Sequence, residues 1–566
     1  MNNSNINEPC LVETRQGFSV LYKNKPLYSK YAPKDSIKKI INSLNILPNT
    51  LILCFSPLLA YGLEELFEKL PENCFILALE KNKILYDFSI NCTESKISHF
   101  LQTENPFFYA NPNNPLEIAK LVNNIDSSFS SQIDFPKISN FKRVLPIDFS
   151  GGAQFEKEFY QEVTTLLDES ISQFWKNRTT LIKLGRLYAS NFFKNLKDIL
   201  ENPKINTLNE IAKKSFGKHI LVLGTGLSLD DFLPVLKSKN NYLQLREKLF
   251  IIACDASLPV VKKYGITPDI VVGVEGQLAI EKAYIGCKNS KVSFVCDLLS
   301  RPSIKRILQG EVAFFLSEYT SESFFKEFSS LAKKLNIPVI EPLGSVGLVA
   351  LELALYLRSE NQNIFCCGTD FSFLPGKTHC KGSPVHTSVL MQNTKLNSTE
   401  QFLSSFSGGN FYIKGKSSYT KPEKLELTSK VLYNYGQHFE NRYSKCKNIF
   451  DLSNFGMETN LPKISLEEFF TQLENKSTQN NDINFSKDFL DFQKTHIEDF
   501  LQIQHQKLLE IKQILIGEKE PSNLEKLLLD CGYLYLHFPD GHNGLKLTTD
   551  FLKRIRAEVE FFLKIT

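Results

Sequence analysis

Acidic residues follow five apolar runs in the middle of the sequence. The runs LFIIACD, DIVVGVE, VSFVCD, VAFFLSE and NIFCCGTD place them at Asp255, Glu275, Asp297, Glu318 and Asp370. Because the carboxyl ends of parallel strands meet at one edge of a sheet, these carboxylates would line a common crevice. There they could bind sugar hydroxyls, a cationic group or a metal. Helix capping is the alternative explanation, and it fits Asp better than Glu, because Glu is a weak N-cap.

A histidine follows the last of these acids, in the stretch GTDFSFLPGKTHC that runs from Gly368 to Cys380. A carboxylate and an imidazole supply the parts for proton transfer near neutral pH, which makes Asp370 and His379 candidates for a reaction centre. His386 is the rival imidazole. An isolated histidine in a loop is more often incidental, so the pair alone leaves its role open.

The stretch KHILVLGTGLSLDDFLPVL, at 218–236, predicts a strand, a glycine turn and a helix. Such a turn presents backbone N–H groups to a phosphate, and it would do so through Gly224, Thr225, Gly226 and Ser228. As a dinucleotide motif it is weak, because it holds two of the three expected glycines. The spacing from Ser228 to Asp231 equally predicts a capping-box-like helix start.

Composition sets the class of protein. At 566 residues with 42% hydrophobic and 23% charged residues, the sequence predicts two or three globular domains. The net charge of +4 gives no case for nucleic-acid binding. We expect no signal peptide, no membrane span and a cytoplasmic location. The twelve scattered cysteines are typical of buried residues in a reducing compartment, and no metal-ligand spacing was found.

Four regions follow from the patterns along the chain. Residues 1–145 predict a Rossmann-like domain without its glycine fingerprint, and 146–213 predict a helical bridge. Residues 214–440 alternate strands and helices, as in a parallel α/β sheet, and 441–566 predict a helical domain. The fold class is therefore α/β, with glycine-bearing loop residues near 393–421 that could cover a site.

Four segments carry a resemblance to a known family. In order they are GTGLSLDDF, IIACDASLPVVKKYGITPDIVVGVEG, GSVGLVALELALYL and IFCCGTDFSFLPGKTHCKG. Together they resemble the motility-associated factor (Maf) flagellin glycosyltransferases, whose central domain is similar to bacterial sialyltransferases and to archaeal hydroxymethylpterin pyrophosphokinases. The order of all four is specific, whereas any one alone is not.

This resemblance implies transfer of a nonulosonic acid of the sialic, pseudaminic or legionaminic type. The donor would be its CMP-activated form and the acceptor Ser or Thr of flagellin, in support of flagellar assembly and motility. The reaction centre would hold Asp370 and His379, with His379 or His386 as base. Residues of the nucleotide and donor site would be Gly224, Thr225, Gly226, Ser228, Asp255, Glu275, Asp297, Gly344 and Ser345. The regions flanking the central domain would serve the acceptor.

The sequence departs from the family pattern at three positions. Leu227 stands where the family has proline, Glu275 where it more often has Asp, and Cys380 where it has Ala. Two alternatives therefore stay open. One is a pyrophosphokinase of the hydroxymethylpterin type that transfers diphosphate from ATP, and the other is a non-catalytic paralogue that binds flagellin. No cofactor beyond the CMP-sugar donor is implied, and the oligomeric state is open.

Overall fold

The computed structural model describes residues 8–566 except 104, 124, 126–127, 321–322, 360–361, 397, 400–411, 415–425, 475–487, 542–544 and 546. Most of the loop expected near 393–421 lies outside the described residues. Contacts divide the chain into two compact units, one ending at Thr180 and the other formed by Leu181–Gly541 with Leu545–Thr566. The four-part division expected from the sequence stays a prediction.

The first unit contains a three-stranded antiparallel sheet and a four-stranded parallel sheet of order β6-β5-β4-β7. The strands predicted from LILCFS and CFILALE are β4 and β5, whereas β6, β7 and the antiparallel sheet were not predicted. The strands are β1 Cys10–Thr14, β2 Gly17–Tyr22, β3 Lys25–Pro26, β4 Thr50–Phe55, β5 Phe75–Leu79, β6 Phe107–Ala110 and β7 Arg143–Asp148. The helices are α1 Pro33–Ser43, α2 Leu63–Glu68, α3 Lys83–Asn91, α4 Ile97–Leu101, α5 Pro115–Val122 and the first half of α6 Lys157–Glu201.

The second unit is built on an eight-stranded parallel sheet of order β13-β12-β11-β10-β9-β8-β14-β17. The α/β class is confirmed, and the six predicted central strands are β8 to β12 and β14. The strands are β8 His219–Leu223, β9 Leu249–Cys254, β10 Ile270–Gly273, β11 Ser293–Asp297, β12 Val312–Ser317, β13 Val339–Ile340, β14 Ile364–Cys367 and β17 Ile449–Asp451, with a separate hairpin of β15 Tyr412–Lys414 and β16 Leu427–Ser429.

Helices cover both faces of this sheet. Within the described residues, none of them is long and apolar enough to cross a membrane. The helices after α6 are α7 Leu208–Lys213, α8 Leu229–Ser238, α9 Tyr242–Glu247, α10 Leu258–Lys263, α11 Ser323–Lys334, α12 Val346–Leu357, α13 Pro384–Gln392, α14 Lys430–Tyr443, α15 Leu466–Glu474, α16 Asp488–Leu515, α17 Leu524–Asp530 and α18 Thr549–Phe562.

The continuous apolar runs of the central strands reflect burial on both faces. In β8, Leu221 and Leu223 pack into one core and Ile220 and Val222 into the opposite core. Parallel sheets that are covered on both faces lack the polar alternation of half-exposed sheets. The same reasoning explains α12, whose buried, mostly aliphatic residues pack into the second core.

The strand order places a topological switch point between β8 and β14. The chain runs outward from β8 to β13 and then returns through α12 to β14, on the other side of β8. Ligands of open α/β sheets bind outside the carboxyl ends of the strands at such a point. The glycine turn after β8 and the GTD segment after β14 both lie at this crevice.

Aromatic residues from three parts of the chain form one core on the face of the sheet that carries Leu221 and Leu223. Phe193 of α6 is fully buried, and its ring packs near those of Phe328, Phe500, Tyr533 and Phe562. The expected helical bridge and helical tail thus share a hydrophobic core with the sheet.

Replacement of Phe193 by Ala should therefore destabilise the second unit by about 3–5 kcal/mol, because it leaves a cavity among four aromatic rings. Urea unfolding monitored by circular dichroism measures this free energy. Leu243→Ala is the matched control, since Leu243 is 76% exposed and should change stability little. Equal stability of the two variants would contradict the shared core.

Candidate functional site

Two turns touch at the switch point, one after β8 and one after β14. The Gly224 N–H donates to the Cys367 carbonyl at 2.8 Å, and the Gly226 N–H donates to the Gly368 carbonyl at 2.8 Å. A Cβ atom at Gly224 or Gly226 would overlap the Gly368 carbonyl oxygen. Close packing of backbone against backbone therefore requires both glycines, before any ligand is considered.

Asp370 joins the two turns through a buried carboxylate that is 3% exposed. Its Oδ2 accepts from the Ser228 N–H at 2.9 Å, and its Oδ1 accepts from the Ser228 hydroxyl at 2.5 Å. Burial raises the pKa of Asp370 to about 7, against the opposing effect of these bonds. The carboxylate thus sits just before the first turn of α8, where a bound anion was expected.

Most N–H groups of the glycine turn are consequently used inside the protein. Those of Leu229 and Asp230 donate back to carbonyls of the same turn, and that of Ser228 donates to Asp370. Among the described residues, only the turn amides of Thr225 and Leu227 have no partner. Of the predicted turn residues Gly224, Thr225, Gly226 and Ser228, Thr225 alone keeps a free amide within the described part of the chain, and Leu227 adds a second donor that was not predicted.

A second helix start lies at the same crevice. Ser345 precedes α12, its hydroxyl makes no capping bond, and the first turn of α12 carries no acid. The amides of Val346, Gly347 and Leu348 have no partner in the described part of the chain. A Cβ on Gly347 would lie 3.5 Å from Thr369 Cγ2, just beyond the end of β14. The start of α12 therefore offers free donors and a positive dipole end to the switch point.

Gly344 shapes the approach to this helix. Its φ of +75° lies in the left-handed region, and a Cβ there would overlap the Tyr435 ring. The predicted donor residues Gly344 and Ser345 thus lie where α12 begins, and Gly344 is explained by backbone geometry.

Three of the predicted acids lie on adjacent strand ends, after β9, β10 and β11. One oxygen each of Asp255, Glu275 and Asp297 accepts from a backbone N–H one or two residues later, at 2.7, 2.8 and 2.9 Å. Each acid thus closes a local turn with the backbone that follows its strand, and the helix starts after these strands carry no side-chain cap. The helix capping expected for Asp255 and Asp297 is therefore corrected to local turn formation, which Glu275 shares. Glu318 instead accepts from the Ser329 hydroxyl of α11 at 2.8 Å.

Asp255 keeps one oxygen free. It is 2% exposed, and its Oδ2 has no hydrogen-bond partner among the described residues. The Tyr284 hydroxyl is likewise buried and unpartnered, and the nearby Asp255 charge helps to raise the Tyr284 pKa, after burial. Burial also raises the pKa of Asp255 to about 7, with a smaller contribution from Glu275. Tyr284 was missed in the sequence, where GQLAIEKAY carries no motif.

The loop of His379 is held over the glycine turn. The Cys380 N–H donates to the Thr225 carbonyl at 3.0 Å, and Asp230 pairs with the Lys377 ammonium at 2.5 Å and accepts from the Lys381 N–H at 2.9 Å. The departure at Cys380 falls on a fully buried side chain. This loop therefore belongs to the same crevice as the turn.

The two candidate imidazoles differ from expectation. His379 Nδ1 lies 3.0 Å from the Thr378 hydroxyl, and burial, helped by His386, lowers the His379 pKa to about 4. His386 Nδ1 lies 3.5 Å from the Gly382 N–H, and its pKa is lowered mainly by burial. The expected titration of His379 near neutral pH and its pairing with Asp370 are therefore corrected, since the described bonds of that carboxylate go to Ser228 and Ser453. Its catalytic role stays a prediction.

Asp451 is a further acid at this edge that the sequence reading overlooked. It ends β17, is 6% exposed, and accepts from the Ser453 N–H at 2.9 Å. The run NIFD has the same form as the other strand ends, but the region after 415 was interpreted as mainly helical. Among the described residues, no group of three His, Cys, Asp or Glu side chains is arranged to hold a metal ion.

Comparison with known proteins identifies relatives of the whole chain and of its central part. Residues 190–376 match the family model described as 6-hydroxymethylpterin diphosphokinase MptE-like, a stretch that includes the glycine turn and Asp370. An uncharacterized protein of Treponema pallidum (strain Nichols) is 30% identical over 585 residues, which cover 98% of this chain and 95% of that protein.

Among solved structures, the chain is similar to the structure of MAf glycosyltransferase from Magnetospirillum magneticum AMB-1. The likeness covers 98% of this chain and 91% of that chain, at 12% identity and a TM-score of 0.49. A likeness at this level assigns no reaction.

Replacement of Asp255 by Asn should stabilise the protein at pH 8 and change it little at pH 4. A folded-state pKa near 7 means that the native chain binds this proton more tightly than the unfolded chain. Stability is therefore fullest below about pH 4 and is lost as pH rises to about 7, which Asn prevents. The gain at pH 8 should be on the order of 2 kcal/mol in urea unfolding.

Glu247→Gln removes a charge from an exposed position and is the control for this measurement. An Asp255→Asn protein that is no more stable at pH 8 than the parent would contradict the buried, half-partnered carboxylate.

Proposed function

This chain belongs to the family that includes the Treponema pallidum protein, and its central part matches the MptE-like family model. Within that family we propose that this chain is a glycosyltransferase. The donor is a CMP-activated nonulosonic acid and the acceptor a Ser or Thr hydroxyl of flagellin. The ordered motifs that resemble the Maf glycosyltransferases support sugar transfer over other uses of the domain.

One observation carries the proposal: free backbone donors and the unpartnered carboxylate oxygen of Asp255 lie on the same edge of one sheet. The amides at the start of α12, with those of Thr225 and Leu227, suit the phosphate of a nucleotide. The acids after β9 to β11 suit the hydroxyls of a sugar, and Asp255 Oδ2 still lacks a donor. A nucleotide sugar presents both chemistries in one molecule.

The proposed reaction exchanges one bond for another at the anomeric carbon. The bond from that carbon to the phosphate oxygen breaks, and CMP leaves with the electron pair. The acceptor hydroxyl oxygen bonds to the carbon, and its proton passes to a base. The positive end of α12 stabilises the departing phosphate, and nearby carboxylates stabilise positive charge that develops on the sugar.

His379 is the proposed base, and two rivals follow from the site. With a pKa of about 4 its imidazole is neutral at physiological pH and has a lone pair available, although it is a weak base. His386 lies in the same loop region. Asp255 has a pKa near 7 and an unpartnered oxygen, which makes a carboxylate base the third possibility.

A second candidate function is favoured by the family model, whose description names a 6-hydroxymethylpterin diphosphokinase. Diphosphate transfer from ATP would use the same free amides for its phosphates. A third is a non-catalytic flagellin-binding paralogue, for which the departures at Leu227 and Glu275 are the support.

Product analysis separates the three functions. The full-length chain is incubated with flagellin and CMP-activated sialic, pseudaminic or legionaminic acid, and CMP and flagellin mass are measured. A parallel reaction holds ATP and 6-hydroxymethylpterin and is assayed for AMP. Flagellin-dependent CMP release with a mass increase supports the proposal, AMP assigns the diphosphokinase, and flagellin binding without either product assigns the scaffold.

Replacement of Gly347 by Ala should weaken CMP binding about tenfold, because a helical Cβ points toward the N-terminus and covers the free amides. The protein itself should be unharmed, since the new methyl meets only Thr369 and Ser345 at ordinary distances of 3.5 and 3.7 Å. Stability should be unchanged or slightly higher, since Ala has a higher helix propensity than Gly. Calorimetry with CMP and urea unfolding measure the two effects.

Ser345→Ala is the companion variant, which removes a hydroxyl that makes no capping bond. It should likewise lower CMP affinity and leave stability nearly unchanged. Full CMP affinity in a folded Gly347→Ala protein would place the phosphate elsewhere. Gly226→Val is a poor test, because its side chain would strike Asp370 in the absence of any ligand.

The pH dependence of kcat/KM for CMP release should identify the base. With His379 as base, activity persists down to about pH 5, because its pKa of about 4 keeps it neutral above that range. His379→Asn should then lose about 10²–10⁴-fold in kcat with CMP binding unchanged. An acid limb near pH 7 would assign a buried carboxylate, and a loss confined to His386→Asn would move the role there.

A further inference from the structure

An open groove lies on the second unit, on the segment that follows β10. Its volume is about 800 Å³, and Leu278, Lys282, Tyr284, Ile285, Lys288 and Arg306 line it. We call it the basic groove. We propose that it docks the polypeptide that receives the sugar, through a segment with apolar side chains flanked by carboxylates. The identity of that polypeptide as the acceptor rests on the proposed function.

Two large aliphatic side chains are exposed to solvent at this groove. Leu278 is 62% exposed and Ile285 is 74% exposed. Both belong to one short stretch, the 3-10 helix Leu278–Tyr284 and the residue after it. Apolar surface that is concave and clustered is typical of a place where another apolar group is buried.

Positive charge surrounds these side chains. Lys282, Lys288 and Arg306 are exposed, and no carboxylate partner is found for them within the described residues. The acid in the groove, Glu281, is already engaged by Arg301 at 2.5 Å and by the Ser303 hydroxyl at 2.7 Å. The groove therefore attracts carboxylates, and complementary charge both steers a partner and selects it.

The groove leads back to the acidic edge of the sheet. Its wall begins directly after Glu275 and Gln277, beyond the carboxyl end of β10. At its inner side Tyr284 is 2% exposed, its hydroxyl has no partner among the described residues, and the Asp255 charge is close enough to help raise its pKa, after burial. A polypeptide held in the groove would thus lie beside the carboxylates proposed to hold the sugar. This position places acceptor docking in the central region, where the sequence had pointed to the flanking regions.

A polypeptide fits this groove better than a lipid does. Along the wall, exposed aliphatic side chains alternate with lysines. A well-matched occupant therefore carries apolar and anionic groups in alternation, as the side chains of a polypeptide do. A single acyl chain carries no such alternation, and its charge sits at one end. Binding to anionic vesicles is therefore an alternative outcome of the test.

The probe is a short fluorescein-labelled peptide with two leucines between glutamates, compared with the same peptide carrying lysines in place of the glutamates. Fluorescence anisotropy with the full-length chain should show binding of the acidic peptide and about tenfold weaker binding of the basic one. Replacing the two leucines by serine should also weaken it. Raised salt should lower the acidic peptide's affinity, since exposed charges are screened.

The matched variants change charge or apolar surface at and away from the groove. Lys288→Glu with Arg306→Glu should lower peptide affinity about tenfold, whereas Lys333→Glu with Lys334→Glu on the exposed face of α11 should not. Ile285→Ser should weaken binding and Leu243→Ser, at a similarly exposed position on α9, should not.

The proposal is overturned if both peptides bind alike, or if the control variants weaken binding as much as the groove variants. It is also overturned if the groove variants lose binding only to phosphatidylglycerol vesicles. Because the peptide is measured without donor, the result is independent of the reaction. Peptide binding without CMP release would support the docking site and refute the proposed glycosyltransferase. CMP release without peptide binding would support the glycosyltransferase and refute the docking site.

Discussion

The second unit depends on how closely two turns approach each other at the ends of β8 and β14. Their backbones are hydrogen-bonded without room for a Cβ at Gly224 or Gly226, and the buried Asp370 carboxylate joins them through Ser228. This contact fixes the switch point of the sheet. It also places the Asp370 carboxylate before α8, where it occupies the position that a ligand anion would take. The start of α12 is therefore the helix end available to such an anion. The same contact thus decides both the fold of the crevice and which helix can serve a phosphate.

Buried carboxylates are the energetic cost of this arrangement. Burial raises the pKa of Asp370, Asp255 and Asp297 to about 7, 7 and 6, so each charge is held against desolvation. Backbone N–H donors offset part of that cost for each of them, from the following residues for Asp255 and Asp297 and from Ser228 for Asp370. Asp255 is the exception, because one oxygen gains nothing from the protein. A buried carboxylate that lowers the stability of the ligand-free protein, and that could accept a hydrogen bond from a ligand, is typical of a functional site.

Much of the sheet was predictable, because strands buried on both faces produce continuous apolar runs. The two central strands that were not predicted, β13 and β17, have two and three residues and give too little pattern. Five of the acids at strand ends were also predicted, Asp451 being the one overlooked, and their positions on one edge follow from parallel topology. What the sequence could not show is the partner of each group. The spacing of glycines does not show whether the turn packs against a ligand or against a neighbouring backbone. The lowered pKa of His379 depends on burial, which the sequence does not show. Tyr284 lies in a stretch that carries no motif.

We propose above that a cytidine nucleotide binds at the switch point, against the start of α12. Hydrogen–deuterium exchange of the full-length chain with and without CMP tests it most directly. We expect slower exchange at the amides of Val346, Gly347 and Leu348 and of Thr225 and Leu227, because each is free until a phosphate accepts from it. Unchanged exchange at these amides under saturating CMP, or protection confined to the four-stranded sheet of the first unit, would contradict it.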